Sequence, residues 1–462
     1  MIVREIGWRS PLDAFAPLAG EPYAALLHAG ERARTRGWTS LAAFPSTTLE
    51  ARGRAVFVDG APSAAAPFSM LAALHRARRS QNSGAFSWAY SLASPLFLSG
   101  LVGFAGYEMG AALEPFAAGP PSPFRLPDMA FGAYDACALF NRGERRAFIA
   151  SYTEEAGRRL EEALGIGPAA ASPLPAFSGT ASNFSERGFE SAVAAAIGLI
   201  GDGAIFQANL AQQLSVRSDE PVAALSLFRL VAEADAPFAA LLQYKEGAIV
   251  SNSPERFFKI SREAGEWRVL AEPIKGTCER RPEDGADRAA AAALVADPKE
   301  RAENIMIADL TRNDLSRISK DGSIREDAIC ALESYETVHH LVSRVSGALK
   351  DGVDAVDALA ALFPCGSVTG APKIEAMKTI AALEGVGRGP YCGAIGYIDD
   401  RGAADFSVAI RLMIVDAAAG ASRVTIPVGG GVTLRSDPRA EYRETLAKAR
   451  AALSILGVEA DR

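Results

Sequence analysis

The pattern of apolar and polar positions alternates between helical stripes and short apolar runs. One stripe runs at helical spacing from Phe189 to Ile200, and Ser185 precedes it as a candidate N-cap. Apolar runs of strand length lie at Ala248-Ile249-Val250, Ala394 to Ile398 and Val424-Thr425-Ile426. These helices and strands follow no regular βαβ rhythm. The pattern therefore predicts an α+β fold, with a mixed β-sheet core surrounded by helices.

Residues 165–183 show neither the helical nor the strand periodicity. They are rich in Pro, Ala, Gly and Ser, which is typical of a linker. The linker predicts an N-terminal domain of residues 1–164 and a C-terminal domain of residues 184–462. The C-terminal domain carries most of the candidate chemistry.

Composition and net charge argue against some classes of protein. The chain has 462 residues, of which 49% are hydrophobic, and its 48 basic and 55 acidic residues give a net charge of −7. This balance argues against broad binding of nucleic acid or anionic membranes. The N-terminus resembles no signal peptide and no run reaches the ~18 apolar residues of a membrane span, so we expect a cytoplasmic location. The five cysteines lack metal-ligand or disulfide spacing, which indicates reduced thiols.

Two predicted helices each begin with Asp-Pro and then present two glutamates. In the first helix, Asp297 precedes Glu300 and Glu303. In the second, Asp437 precedes Glu441 and Glu444, and Lys448 follows them. Four carboxylates in one site would repel one another unless a cation lay between them, and Mg²⁺ is the usual choice. The same spacing also occurs in solvated helix starts, where the helix dipole favours acidic residues.

The segment Pro273-Ile274-Lys275-Gly276-Thr277 places a lysine in an apolar setting beside a glycine that permits close backbone approach. Desolvation there would lower the pKa of the amine and make it a nucleophile. A solvated lysine before a turn is the alternative.

Three further segments are candidates for binding an anionic ligand. Residues 366–373 supply small residues and hydroxyls ahead of a predicted helix, which suits a carboxylate. Gly429-Gly430-Gly431 permits close approach of a ligand to the backbone, or else forms a plain turn. Arg411 is a charge within an apolar run, so it needs either a structural carboxylate or the carboxylate of a ligand as its partner.

Three other polar residues leave their roles open. His339 and His340 are the only histidines of the C-terminal half, and each suits either a structural or a catalytic role. Glu255, within Ser-Pro-Glu, suits a general acid or a surface ion pair.

Taken together, these segments resemble the chorismate-utilising enzymes, which include anthranilate, isochorismate, salicylate and aminodeoxychorismate synthases. The resemblance spans roughly residues 183–455 and is fainter before them. It rests on residues 201–210, Ser253 to Glu255, Lys275 to Thr277, Glu303 to Ile307, Asp309 to Asp314, Val338 to Leu341, Gly366 to Lys373, Tyr391 to Tyr397, Arg411 and Asp437 to Lys448.

The resemblance implies a site for chorismate and Mg²⁺. The metal ligands it implies are Glu300, Glu303, Glu441 and Glu444. The implied catalytic residues are Lys275, Glu255 and His340, since His340 directly precedes leucine as the family's histidine does. The implied substrate contacts are Gly276, Thr277, Ser367, Tyr391, Arg411, Gly429, Gly430, Gly431 and Lys448. In the family the segment containing Ser367 usually reads Gly-Thr-x-Ser-Gly-Ala-Pro, so Ser367 and Thr369 exchange the two hydroxyl types here.

Within the family, Lys275 favours the branch that forms 4-amino-4-deoxychorismate for 4-aminobenzoate and folate synthesis, because anthranilate synthases typically have alanine there. Gln207 stands where isochorismate-type enzymes have a lysine base, which favours ammonia over water as the nucleophile. No cysteine lies in a glutaminase motif, so the resemblance implies a glutamine amidotransferase partner. The alternatives are an anthranilate synthase component and a non-catalytic subunit that binds chorismate.

The N-terminal half resembles the family through Gly103 to Glu108 and Leu126 to Met129. In related subunits this half can hold a tryptophan. Phe44-Pro45-Ser46 differs from the Leu-Leu-Glu-Ser sequence typical of that pocket, so tryptophan binding stays open.

Overall fold

Two large β-sheets with helices packed against them form the molecule. The computed structural model describes residues 1–30, 37–82, 97–165, 167, 172–418 and 420–459. The α-helices in these ranges are α1 (Pro11–Phe15), α2 (Pro67–Asn82), α3 (Gly110–Leu113), α4 (Glu154–Gly165), α5 (Glu186–Gly201), α6 (Ala224–Ala232), α7 (Asp284–Ala296), α8 (Pro298–Ser316), α9 (Ala355–Leu362), α10 (Lys373–Glu384) and α11 (Pro438–Ile455).

The strands account for the two sheets. They are β1 (Ile2–Ile6), β2 (Ala25–His28), β3 (Trp38–Ala42), β4 (Thr47–Arg52), β5 (Ala55–Val58), β6 (Ala61–Ser63), β7 (Gly100–Ala105), β8 (Met129–Tyr134), β9 (Ala136–Asn141), β10 (Arg146–Ser151), β11 (Ser178–Ser182), β12 (Gln207–Ser218), β13 (Phe238–Tyr244), β14 (Gly247–Ser253), β15 (Arg256–Glu263), β16 (Glu266–Glu272), β17 (Ile274–Glu279), β18 (Arg325–Ser334), β19 (Val338–Ala348), β20 (Gly370–Ala371), β21 (Ala394–Asp399), β22 (Ala404–Val408), β23 (Leu412–Ala418) and β24 (Ala421–Val432).

Both sheets combine strands from the two halves of the chain. Sheet I has the order β1-β10-β9-β3-β2-β13-β14-β23-β24-β12-β11, with β20 also paired to β12. Sheet II has the order β17-β19-β16-β15-β22-β21-β7-β8-β4-β5-β6, with β18 also paired to β19. The halves join where β2 pairs with β13 and where β7 pairs with β21, both antiparallel. This confirms the predicted α+β class. Every strand pair among the described residues is antiparallel, so the prediction of a mixed sheet is wrong.

The predicted linker is described only in part. Within it, Ser178–Ser182 forms β11 and pairs with β12, because its backbone finds partners at the edge of sheet I. Since both sheets cross the proposed boundary, pairing does not separate residues 1–164 from 184–462 into two sheets. The division into domains stays a prediction.

The core lies between the sheets and under the helices. Phe104 of β7 and Tyr244 of β13 meet edge to face between the sheets, with ring centroids 5.5 Å apart. Phe258 and Phe406 stack at 5.2 Å in a second cluster, which α2 and α9 also join. Each buried phenylalanine contributes about 2 kcal/mol by removing its ring from water. Among the described helices, none combines the length and the apolar composition that crossing a bilayer requires.

The elements read from the periodic pattern are confirmed. Helix α5 buries Phe189 and Val193, and the Ser185 hydroxyl accepts a hydrogen bond from the Gly188 N–H, as a capping residue does. The three apolar runs lie in β14, β21 and β24. All five cysteines are free.

Candidate active site

Helices α8 and α11 begin at the two Asp-Pro pairs, as predicted. The Asp297 carboxylate accepts hydrogen bonds from the N–H groups of Lys299 and Glu300, at 2.8 and 3.1 Å. The Asp437 carboxylate accepts one from Ala440 at 2.8 Å. Each cap fixes the start of its helix, and so fixes where the glutamates of the first two turns lie.

The two pairs of glutamates influence one another across the site. Burial raises the pKa of Glu300, and the charge of Glu444 acts in the same direction. Burial likewise raises the pKa of Glu303, and the charges of Glu300 and Glu441 add to this effect. Because charges act over several ångströms, these effects indicate that the starts of α8 and α11 face the same site.

Some of these carboxylates already have partners. Glu441 accepts a hydrogen bond from the Ser436 hydroxyl at 2.7 Å, and Glu444 pairs with Lys448 at 2.7 Å. In the described part of the chain, no three acidic, histidine or cysteine side chains form a ready-made metal site. Carboxylate oxygens are the donors that Mg²⁺ prefers, so these residues fit the ion by charge and donor type. Mg²⁺ binding stays a prediction.

Glycines keep the space beside these carboxylates free. A Cβ atom at Gly276 would lie 3.2 Å from the Glu300 Oε2 atom, and one at Gly430 would lie 3.0 Å from the Glu441 Oε2 atom. Gly276 also has a φ of +91°, which favours glycine. Residues 429–431 lie within β24 and pair with β12, which excludes the alternative of a plain turn. Lys448 donates to the Gly429 carbonyl at 2.8 Å.

Lys275 lies in β17 and points its amine toward the same site. A Cβ at Gly431 would be 3.5 Å from the Lys275 Nζ atom. Burial lowers the pKa of Lys275, while the charges of Glu255 and Glu303 oppose this change. The lysine is half-buried, so the alternative of a fully solvated lysine is wrong.

Glu255 is buried next to Lys275, which excludes the alternative of a surface ion pair. Only 4% of its surface is exposed, and its Oε1 atom accepts a hydrogen bond from the Ile274 N–H at 3.4 Å. Burial raises the pKa of Glu255 to about 7, against the lowering effect of a hydrogen bond from Ser367. A carboxyl with this pKa can deliver a proton at neutral pH.

The predicted carboxylate cradle lies beside Glu255 and ahead of α10. Gly366–Val368 forms a 3₁₀ turn, and the Ser367 hydroxyl lies 3.3 Å from the Cys365 sulfur. The Thr369 hydroxyl donates instead to the Cys365 carbonyl at 3.0 Å and is fully buried. Ser367 is therefore the hydroxyl of this segment that contacts the site, whereas Thr369 holds the loop together.

Arg411, Tyr391 and His340 lie along another part of the site. Burial lowers the pKa of Arg411, against the charges of Tyr391 and Glu444. The Arg411 side chain remains exposed to solvent, although protein atoms lie around its guanidinium group. Arg411 forms no salt bridge with any described residue. Two partners were predicted for Arg411, a structural carboxylate or the carboxylate of a ligand, and the carboxylate of a ligand is therefore favoured. Burial, with the charge of Arg411, lowers the pKa of His340 to about 4, so this histidine is neutral.

The two adjacent histidines have different surroundings. The His340 Nδ1 atom lies 2.8 Å from the Thr277 hydroxyl, which orients the ring within the site. His339 is held by Asp287 at 3.0 Å and Ser334 at 2.7 Å, so both of its nitrogens are occupied. His339 is therefore structural, and His340 is the histidine of the site.

Two residues gain importance from the structure. Gln207 is 1% exposed, and neither polar atom of its amide has a partner among the described residues. Its Nε2 atom lies 2.5 Å from the position of a Cβ on Gly431, so the amide faces the site. Asn304 is buried on α8, directly after Glu303. A polar residue on the apolar side of a helix was the signal that sequence reasoning overlooked.

A separate cavity of about 80 Å³ lies between the sheets. Its walls include His28, Trp38, Phe238, Tyr397 and Asp405, so both halves of the chain contribute. The Phe44-Pro45-Ser46 segment takes no part in this wall.

Comparisons with known proteins identify the family of this chain. Residues 24–454 match the family model described as chorismate binding enzyme. Aminodeoxychorismate synthase component 1 of Klebsiella aerogenes is 34% identical over 446 residues, which cover 94% of each chain. Anthranilate synthase component 1 of Streptomyces coelicolor is 38% identical over 389 residues, covering 78% of this chain and 73% of the relative.

A solved structure shows the same fold. Anthranilate synthase component I from Streptococcus pneumoniae superposes with a TM-score of 0.76 at 29% sequence identity, covering 91% of this chain and 92% of that one. The family match extends over both halves of the chain and includes every predicted site residue. On this basis the chain belongs to the family of chorismate binding enzymes.

Proposed function

We propose that this chain is an aminodeoxychorismate synthase component that converts chorismate and ammonia to 4-amino-4-deoxychorismate. The observation that carries the proposal is the amine of Lys275, which has a lowered pKa and lies in the carboxylate site beside Glu255. Two relatives with this name, from Klebsiella aerogenes and Salmonella typhimurium, match 94% of this chain.

The substrate would be held at its two carboxylates. Glu300, Glu303, Glu441 and Glu444 would hold Mg²⁺, which when bound neutralises the ring carboxylate of chorismate. Arg411 and Tyr391 would receive the enolpyruvyl carboxylate, since Arg411 has no carboxylate partner within the described chain. Two anchored carboxylates would fix the orientation of the ring.

The chemistry would then proceed in two substitutions. The neutral Lys275 amine forms a bond to C2 while the C4–O bond breaks, and Glu255 gives its proton to the departing hydroxyl, which leaves as water. Ammonia next forms a bond to C4 while the bond between C2 and the lysine nitrogen breaks. The ionised Glu255 takes up the surplus proton of the new amine, so both protein groups return to their starting states.

Ammonia would come from a glutamine amidotransferase partner. The relatives are named as component 1, which implies another component. Burial raises the pKa of Cys365 and of Cys392 to about 12, so neither thiol suits the attack on glutamine. With the chain alone, ammonium salt should support turnover and glutamine should not. Product formed from glutamine without a partner would contradict this part of the proposal.

A product assay tests the assignment. Chorismate, Mg²⁺ and ammonium salt are incubated with the chain, and products are separated by chromatography with mass detection. We expect 4-amino-4-deoxychorismate, which yields 4-aminobenzoate only after a lyase is added. Fluorescent anthranilate without a lyase would instead establish the second candidate, an anthranilate synthase component, which the 38% identity to the Streptomyces coelicolor relative favours. Chorismate binding without any product would indicate a non-catalytic subunit.

We propose that tryptophan binds in the cavity between the two sheets. Its aromatic walls, which include Trp38 and Phe238, suit an indole ring. Titration calorimetry with L-tryptophan should show saturable binding, and Ala240→Leu should abolish it by filling the cavity. Absence of binding to the parent chain would refute this proposal without affecting the active-site assignment.

A further inference from the structure

The strand that carries Lys275 contains a β-bulge at the lysine itself. In the antiparallel pairing of β17 with β19, Ile274 lies opposite Val342, whereas Thr277 lies opposite His340. Lys275 and Gly276 therefore share one opposing residue, Leu341. A bulge interrupts the ladder and re-aims a side chain, so something outside the ladder must hold the bulged backbone in place.

The Asn304 side chain of α8 supplies that contact. Its Nδ2 atom donates to the carbonyl of Lys275 at 3.0 Å and to the carbonyl of Leu341 at 2.8 Å. An amide nitrogen has two N–H donors, and both are used here. The side chain is 2% exposed, so water does not compete for these hydrogen bonds.

The orientation of this amide is fixed from its other side. The Ser343 hydroxyl accepts from the Cys330 N–H at 3.1 Å, so its own proton is free to be donated to the Asn304 Oδ1 atom, with which it is in close contact. The Cys330 thiol also donates to this oxygen, at 3.6 Å. These contacts leave the nitrogen, and not the oxygen, facing the two strand carbonyls.

Asn304 also links the lysine to the glutamates through one rigid element. It directly follows Glu303 on α8 and lies one helical turn after Glu300, so all three side chains move with the helix. Helix and strand are already close at Gly276, where an added Cβ would be 3.2 Å from the Glu300 Oε2 atom. A change at Asn304 would therefore alter the position of Lys275 relative to both carboxylates.

We propose that Asn304 is a positioning residue for Lys275, whose amide holds the bulged strand against α8 so that the lysine amine stays in register with the glutamates. The inference rests on the proposed role of Lys275 as the nucleophile. Asn304 itself touches neither substrate nor reacting atoms. Because misplacing a reacting group by about 1 Å can cost ~100-fold in rate, the effect should appear in kcat and not in substrate binding.

Asn304→Ala tests the inference, with Asn313→Ala as the matched control on the exposed side of the same helix. We expect kcat with chorismate and ammonium to fall about 100-fold while KM for chorismate changes less than ~3-fold. The control should retain the parent kcat. An unchanged kcat in folded Asn304→Ala, or an equal loss in Asn313→Ala, would overturn the inference.

A second measurement does not depend on activity. The acetylation of Lys275 by acetic anhydride is followed against pH by peptide mass spectrometry, with the exposed Lys245, which lies outside the site, as the reference amine. In Asn304→Ala the midpoint for Lys275 should rise toward the ordinary lysine value of about 10.4, because the amine leaves its buried position. An unaltered midpoint would count against the inference. If the parent chain makes anthranilate, the proposed function fails, yet this measurement still decides the role of Asn304.

Folding of the variant is checked by its melting temperature. A value within about 5 °C of the parent makes the kinetic result interpretable. Should Asn304→Ala not fold, Asn304→Ser replaces it, since serine also lacks the pair of N–H donors but leaves a smaller change in volume. The same loss of kcat and the same rise of the Lys275 midpoint are expected there, and their absence in the folded serine variant would refute the inference.

Discussion

The Glu255 carboxyl accepts a hydrogen bond, 3.4 Å long, from the backbone N–H of Ile274, the residue directly before Lys275. This contact keeps the candidate acid beside the strand of the candidate nucleophile. Burial raises the pKa of Glu255 to about 7 and lowers the pKa of Lys275. At neutral pH about half of Glu255 is therefore protonated, and Lys275 has a larger share of its neutral form than an exposed lysine would have. These are the two forms that the proposed first step requires.

Lys275→Ala should remove the proposed nucleophile and lower kcat for amination at least ~100-fold, while chorismate still binds through its carboxylates. Steady-state kinetics and a chorismate binding titration measure the two effects separately. Lys245→Ala, at an exposed lysine outside the site, should behave like the parent. Turnover at the parent rate in Lys275→Ala would rule out the covalent role.

The dependence of kcat on pH should follow the protonation of Glu255. Because the reaction requires its protonated form, kcat should decline as pH rises above about 7, the pKa that burial gives this carboxyl. Glu255→Gln cannot give up a proton, so kcat should be lower throughout and the decline above pH 7 should disappear. A Glu255→Gln profile that keeps the same decline would assign it to another group.

The free energy of unfolding should depend on pH through the burial of the Glu255 carboxylate. The pKa of Glu255 in the folded protein, about 7, lies above the ordinary value of 4.5 for an exposed glutamate. Protonation of Glu255 therefore stabilises the folded protein below pH 4.5, and this contribution is lost as pH rises through 7. Glu255→Gln should therefore be more stable than the parent at pH 8, by at most about 3 kcal/mol. Thermal melts should show this advantage shrinking as pH falls from 7 to 4.5. An advantage independent of pH would contradict the burial of a charge.

Glu303→Gln and Glu444→Gln should each weaken Mg²⁺ binding, because each removes one negative ligand from the cluster. The concentration of Mg²⁺ that gives half-maximal turnover should rise about 10-fold or more. Glu154→Gln is the matched control, since Glu154 is an exposed glutamate in the first turn of α4. Normal metal dependence in both site variants would reject the metal assignment.

Arg411→Ala should chiefly weaken substrate binding, because it removes the only donor fork proposed for the enolpyruvyl carboxylate. We expect KM for chorismate to rise about 10- to 100-fold, in line with the loss of a charge-assisted hydrogen bond. Initial rates against chorismate concentration measure this change. Arg187→Ala, at an exposed arginine of α5, should leave KM unaltered, and an unaltered KM in Arg411→Ala would remove this residue from the substrate site.

The local elements followed from the sequence because their signals are local. Asp-Pro predicted the starts of α8 and α11, and the apolar runs predicted three strands, since capping and side-chain periodicity act over only a few residues. The family motifs likewise identified the family before any contact was known. The predicted linker is the weaker case, because part of it, Ser178–Ser182, pairs at the edge of a sheet whose position depends on the rest of the chain.

Other features depended on packing between distant segments. Only the tertiary structure decided that Glu255 is buried, that residues 429–431 form a strand and that the glutamates of α8 and α11 repel one another. The same holds for Asn304, whose role depends on a bulge opposite Leu341 and on a serine from β19. Sequence alone determined the family and the few elements named above, because both follow from patterns of neighbouring residues. Burial, Coulomb interactions and hydrogen bonds across the site arise where distant segments meet, and no local pattern contains that information.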